Sequence, residues 1–145
     1  DENTAVHNYG AGGTGLDFAV KTLSEVYIPT STRQIFIITV PHYFRRTWFD
    51  DDGVVMKPWQ VKEKVDINEY NNYFNFLHNY ELLNTFIGRD RIIWGTWDRD
   101  LPEEYFDVFF ERVDYTNDEL HPGPKSHKQY ADKLRVLLGK YESNG

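Results

Sequence analysis

The sequence predicts an α/β domain built on a parallel sheet. Two segments read as strands covered on both faces. Gln34-Ile35-Phe36-Ile37-Ile38-Thr39-Val40 and Arg91-Ile92-Ile93-Trp94-Gly95-Thr96-Trp97 are near-continuous apolar runs, not alternating ones. Segments of helical period lie around and between them. Strand and helix therefore alternate, the order that a parallel sheet requires.

Taken in order, Thr4 to Tyr9 is a short apolar-leaning run that stops at Gly10-Ala11-Gly12-Gly13-Thr14-Gly15, which reads as a strand followed by a glycine turn. Leu16, Ala19, Val20, Leu23 and Val26/Tyr27 then recur at helical spacing, with Asp17 in the first turn where a carboxylate suits the helix dipole. The strand Gln34–Val40 ends at Pro41. His42 to Val65 is mixed, with Arg45-Arg46, the acidic turn Asp50-Asp51-Asp52-Gly53 and Pro58-Trp59, and is expected to be a long irregular excursion. Asn68 to Ile87 carries the longest helical pattern and stops at Gly88. After the strand at Arg91–Trp97, Leu101 to Val113 is expected to be helical over Tyr105–Arg112, and a last amphipathic helix runs from Ser126 to Leu138. No repeat, linker or low-complexity segment divides residues 1–145, which read as one domain.

Composition narrows the function classes. A net charge of −7 without a basic run argues against nucleic acid as the main partner, because phosphate binding needs clustered Lys and Arg. With no cysteine there is no disulfide, thiolate metal site or Cys nucleophile, and the compartment stays open. No apolar run approaches the ~20 residues that span a bilayer. The single methionine is Met56, so Asp1 is not a translation start, and the chain is expected to be a processed product or a fragment.

In a parallel sheet, sites gather at the carboxyl ends of the strands. The glycine turn, Pro41-His42-Tyr43, Trp97-Asp98 and the loop before His121 are all expected there. The strongest signal is Asp118-Glu119-Leu120-His121-Pro122-Gly123, an acid and a histidine three residues apart on a Pro/Gly turn before a helix. A carboxylate so placed can fix the tautomer and direction of an imidazole whose other nitrogen faces a reacting group. The same residues also suit an ordinary helix-entry turn. Gly10, Gly12 and Gly15 have the dinucleotide spacing, but no acidic residue follows one strand later, and there is no Gly-Lys-Ser/Thr, so no nucleotide cofactor is expected. His121 and His127 do not share a helix face, and His7, His42 and His78 are scattered, so no metal is expected. Arg45-Arg46 fits either an anion clamp or a solvated loop face.

These residues resemble the SGNH (GDSL-type) hydrolases: the strand ending at Asn8 with Gly10, Gly12 and Gly13, the apolar strand ending near His42, and Asp118-x-x-His121 before the last helix. The resemblance implies a flavodoxin-like three-layer fold and ester or acyl hydrolysis by a serine. It makes His121 the general base, Asp118 its orienting carboxylate and Gly13 a backbone donor to the oxyanion, with Asn8 beside them. The family's Gly-then-Asn block is Thr39-Val40-Pro41-His42-Tyr43 here, so His42 or Tyr43 stands where the side-chain donor is expected. The Gly-Asp-Ser block is absent, and Ser24, Ser31, Ser126 and Ser143 do not sit at a strand-to-turn beside a glycine. The chain thus has a base without a nucleophile. If Thr4–Tyr9 is the family's second strand and Gln34–Val40 its third, the first strand, which lies between them, is the one this chain lacks. Upstream residues or another chain are expected to supply it. Carbohydrate acetyl esters are the expected substrate, from the tryptophan, Trp59, in the Val54–Val65 excursion. The competing expectation is a non-catalytic binding or structural module of the same fold.

Overall fold

A computed structural model describes residues 5–10, 14–29, 34–40, 42–43, 45–55, 69–117, 119 and 121–143. Its helices are α1 (Leu16–Val26), α2 (Glu69–Ile87) and α3 (Pro124–Ser143), and its strands are β1 (Phe36–Val40), β2 (Ile92–Thr96) and β3 (Val108–Phe109). Short 3-10 turns at Arg89–Arg91 and Glu103–Tyr105 precede β2 and β3. The strands form one parallel sheet in the order β1-β2-β3. Phe36 pairs with Ile92 and Val40 with Thr96, and β3 joins at Gly95↔Val108 and Thr96↔Phe109.

Every residue of β2 is buried, which is why its sequence shows no polar alternation. One face packs Ile38, Val40, Ile92 and Trp94 against Leu16 and Leu23 of α1 and Phe76, Tyr80, Leu83 and Ile87 of α2. Tyr80 and Trp94 meet tilted with ring centroids 4.6 Å apart, while Phe76 stacks on Phe106 and meets Tyr105 edge-on. The Trp94 indole lies inside this core because its N–H donates to Asn84 Oδ1 at 2.9 Å. The other face meets α3. Tyr130 packs on Phe110, its hydroxyl bonds Thr39 Oγ1 at 2.8 Å, and Gly95 lies beneath it.

Gly88 ends α2 with φ 101°, a conformation that favours glycine, and its N–H closes onto Asn84 O at 3.0 Å. In the described part of the excursion, the acidic turn folds as expected. Asp50 Oδ1 accepts from the Asp52 and Val54 amides, and Gly53 takes φ 76°.

Two expectations need correction. Tyr105–Arg112 is not a helix, because β3 forms there. The Asp107 N–H donates to Trp94 O and the Phe110 N–H to Thr96 O, drawing the segment into the sheet. The Asp107 carboxylate, held by Arg89, also accepts from the Trp94 N–H at 2.8 Å. The side chains alternate accordingly: Val108 and Phe110 face Gly95 and Tyr130, while Phe109 packs against the opposite core. Ala5 to Tyr9 is not a strand either. It is exposed and unpaired in the sheet, and Asn8 Oδ1 instead accepts from the Gly10 N–H at 2.9 Å. Among the described residues β1 is therefore an edge strand, bonded to β2 alone.

Gly95 carries the tightest steric demand in the sheet, since a Cβ there would land on the Tyr130 hydroxyl and within 3.2 Å of Val108 Cγ1. Gly95→Ala should destabilise the fold by about 1–3 kcal/mol in urea unfolding, the usual range for overpacking. Adding Tyr130→Phe removes the clashing oxygen and should recover part of that loss.

Candidate functional site

α1 and α2 begin at the carboxyl end of the sheet, and the loops that leave β1, β2 and β3 emerge at the same end. Three aspartates organise this end. Asp17, in the first turn of α1, accepts from the Thr47 N–H at 3.1 Å and from the side-chain amides of Asn75 and Asn79 on α2. Thr47 Oγ1 in turn accepts from the Gly15 N–H at 2.8 Å. Gly15 has no room for a side chain, because a Cβ would run into the Arg45 carbonyl. The last glycine of the turn is thus locked to the excursion. Arg46 lies over the Trp48 ring at 4.6 Å and donates to Asn75 Oδ1, so it serves the fold as a partly buried strut.

Asp98 follows β2 and is 4 % exposed. Its Oδ2 accepts from the Tyr43 N–H at 3.2 Å and its Oδ1 from the Asp100 N–H at 3.1 Å. Thr96 Oγ1 donates to Val40 O and accepts from the Asp98 N–H, tying the ends of β1 and β2 together. His42 Nδ1 stands 3.4 Å from Asp98 Oδ2, and His42 Nε2 accepts from the Trp97 indole N–H at 3.3 Å. Trp97 also packs edge-on against Phe110 and lies under the Arg112 guanidinium.

Asp114 anchors the third loop. Its carboxylate accepts from the Lys125 and Ser126 amides at the start of α3 and from Ser126 Oγ at 2.6 Å. Burial opposes ionisation of this carboxyl, but the Ser126 hydroxyl and the two backbone amides outweigh it and hold Asp114 below the ordinary carboxylate range. The loop closes on itself through Gly123 N–H to Asp114 O and Thr116 N–H to His121 O, both at 2.9 Å. Glu119 takes φ 57°, left-handed backbone unusual for a glutamate.

The structure thus brings His42 and Tyr43 together on Asp98, and leaves Asn8 exposed beside Gly10. His121 is exposed, at the closing pair of its loop, where its carbonyl accepts from the Thr116 N–H. Asp118 and Gly13 lie outside the described residues, as do Ser31 and Trp59. Ser24 is exposed on α1 and donates to Lys21 O. Ser126 is fully buried and cannot reach a substrate. Asp98 and Trp97 were visible in the sequence only as a strand-end segment. Nothing local marked Asp114, because its partners lie 11 and 12 residues further on. Among the described residues no group of three or more His, Asp or Glu could hold a metal, and no helix is long and apolar enough to cross a membrane. No protein-family model, curated protein or solved structure matches the chain.

Ser126 Oγ also accepts from the Val113 and Asp114 amides. Ser126→Ala leaves both without that partner and should cost about 2–4 kcal/mol in urea unfolding. Because the folded Asp114 carboxyl titrates low, its stabilisation is complete above the unfolded value of about 3.9 and is lost as the pH falls through the lower folded value. Urea midpoints measured from pH 6 down to about pH 2 should fall less steeply in Asp114→Asn than in the parent.

Proposed function

We propose that the chain belongs to an SGNH-type serine ester hydrolase with the flavodoxin-like three-layer arrangement. The observation that carries this reading is the parallel β1-β2-β3 order, with Gly15, the His42-Tyr43 segment and the His121 loop at its carboxyl end. A second feature supports it. β1 reads Phe36-Ile37-Ile38-Thr39-Val40, and its edge has none of the charges or prolines that usually blunt an exposed strand edge. We assign that edge to a further parallel strand bearing the nucleophilic serine, supplied by upstream residues or another chain.

In this mechanism the serine hydroxyl attacks the ester carbonyl while His121 takes its proton, and Asp118 holds the imidazole in the required tautomer. Backbone N–H groups of the glycine turn, Gly13 included, hold the tetrahedral oxyanion, with His42 or Tyr43 beside them. His121 then returns the proton to the leaving alkoxide, and water completes the second half-reaction by the same route. An acetyl ester on a carbohydrate is the proposed substrate.

The second reading is a non-catalytic module of the same fold. The burial of Ser126 favours it, because that serine is spent on the anchoring of α3.

In an active form that carries the serine strand, His121→Ala should lower esterase turnover by roughly three to six orders of magnitude. Asp118→Ala should cost less, because the imidazole survives. Turnover of a chromogenic acetyl ester that His121→Ala leaves unchanged would sink the mechanism. Residues 1–145 alone should show neither turnover nor labelling by a serine-directed phosphonate. Labelling of a serine in this chain would show that the nucleophile is one of its own.

A further inference from the structure

The His42–Asp98–Trp97 cluster has an arrangement that packing alone does not require. An indole N–H can only donate, so its partner, His42 Nε2, must carry a lone pair. The ring proton is therefore on Nδ1, the nitrogen that faces Asp98 Oδ2. Asp98 is 4 % exposed, and its position is fixed by the Tyr43 and Asp100 amides and by the Thr96 link to β1. A buried carboxylate thus sets the direction and tautomer of an imidazole whose other nitrogen is an acceptor. This is the geometry of an oriented base, and the Trp97 N–H occupies the place where an incoming donor would sit.

We propose that His42 and Asp98 form a second imidazole–carboxylate pair, separate from Asp118–His121, and that Trp97 is a removable cap on its acceptor nitrogen. The site takes a neutral hydroxyl, from an alcohol or a sugar, in place of the indole N–H. The His42 side chain is 28 % exposed, so its ring is reachable from solvent, whereas Asp98 is not. The group that replaces the indole must bring a proton for Nε2, which excludes a carboxylate or a phosphate dianion. The Arg112 guanidinium, 5.3 Å from the Trp97 ring centroid, disfavours an ammonium. A neutral hydroxyl meets both conditions. Trp97 is half-buried, packing against the His42 ring, the edge of Phe110 and the Arg112 guanidinium, and its indole would leave Nε2 by rotating on its own side chain.

This inference does not rest on the esterase reading, because His121 has no part in it, and a His42 ring with its N–H turned to Asp98 leaves the place beside the oxyanion to Tyr43. The test uses the chain as it stands. Nitrogen NMR of His42 should show the Nδ1–H tautomer, and methanol should shift the Nε2 resonance where acetonitrile, which has no proton to donate, does not. Trp97→Phe keeps the ring packing but removes the N–H. It should raise the rate of diethyl pyrocarbonate modification at His42, mapped by peptide mass spectrometry, by about tenfold, the factor set by one ordinary hydrogen bond. His121→Ala should leave all three readouts unchanged. An Nε2–H tautomer in the parent protein, equal shifts with the two solvents, or an unchanged His42 rate in Trp97→Phe would each overturn the proposal. The tautomer and solvent readouts need no variant, so they decide the matter even if Trp97→Phe folds poorly.

Discussion

Burial of β2 on both faces is the constraint from which the rest of the structure follows. A strand with no exposed residue must have apolar partners above and below, and its backbone must be bonded on both edges. The α1–α2 pair fills one side and α3 the other, while β1 and β3 take the two edges. The demand reaches individual atoms. Trp94 keeps its indole N–H inside the core only through Asn84, and Tyr130 reaches Thr39 only because Gly95 has no side chain. β3 is short, yet it holds because Asp107 bonds the β2 backbone just before it and Phe110 does so just after.

Order at the carboxyl end comes from a repeated solution to one problem. Loops leaving a covered sheet carry backbone N–H groups with no strand or helix partner, and burying them unpaired is costly. Asp17, Asp98 and Asp114 each turn a carboxylate onto such amides, at Thr47, at Tyr43 and Asp100, and at Lys125 and Ser126. Apart from the local Asp98–Asp100 bond, these join loop or helix-end segments distant in sequence, so the three carboxylates fix the mutual placement of the excursion, the strand ends and the start of α3. Charge-assisted bonds of this kind are stronger than neutral ones, which suits positions where few apolar contacts are available.

α1, α2, β1 and β2 were legible in the sequence because each has one dominant period or an unbroken β-branched run of sufficient length. α3 was legible too, but began earlier and ran further than its apolar stripe indicated, since Lys, Gln and Arg extend a helix as readily as apolar residues do. β3 was misread because a few residues of Phe and Val fit either period, and the deciding bonds run to Trp94 and Thr96 on another strand. Ala5–Tyr9 was misread for the converse reason: apolar character suggests a strand, but only a neighbouring edge makes one. At the site, His121 and His42 stood out by residue type. Their settings did not, because Asp98 and Asp114 act through contacts that no local pattern encodes.

The two imidazoles at this end of the sheet are held in different ways, and the difference bears on what each can do. His42 is fixed by rigid elements: Thr96 joins the ends of β1 and β2, and Asp98 leaves β2 directly, so the ring direction is inherited from the sheet. His121 sits on a loop whose shape depends on bonds within itself, from Gly123 to Asp114 and from Thr116 to His121, and on one left-handed residue, Glu119. That loop is in turn moored to α3 by Asp114 and Ser126. The His121 loop is thus held mainly by bonds within itself and to the start of α3, whereas His42 faces a carboxylate fixed at the ends of β1 and β2. The rigid position suits a group that must hold a fixed direction. The loop position suits a group whose placement can adjust.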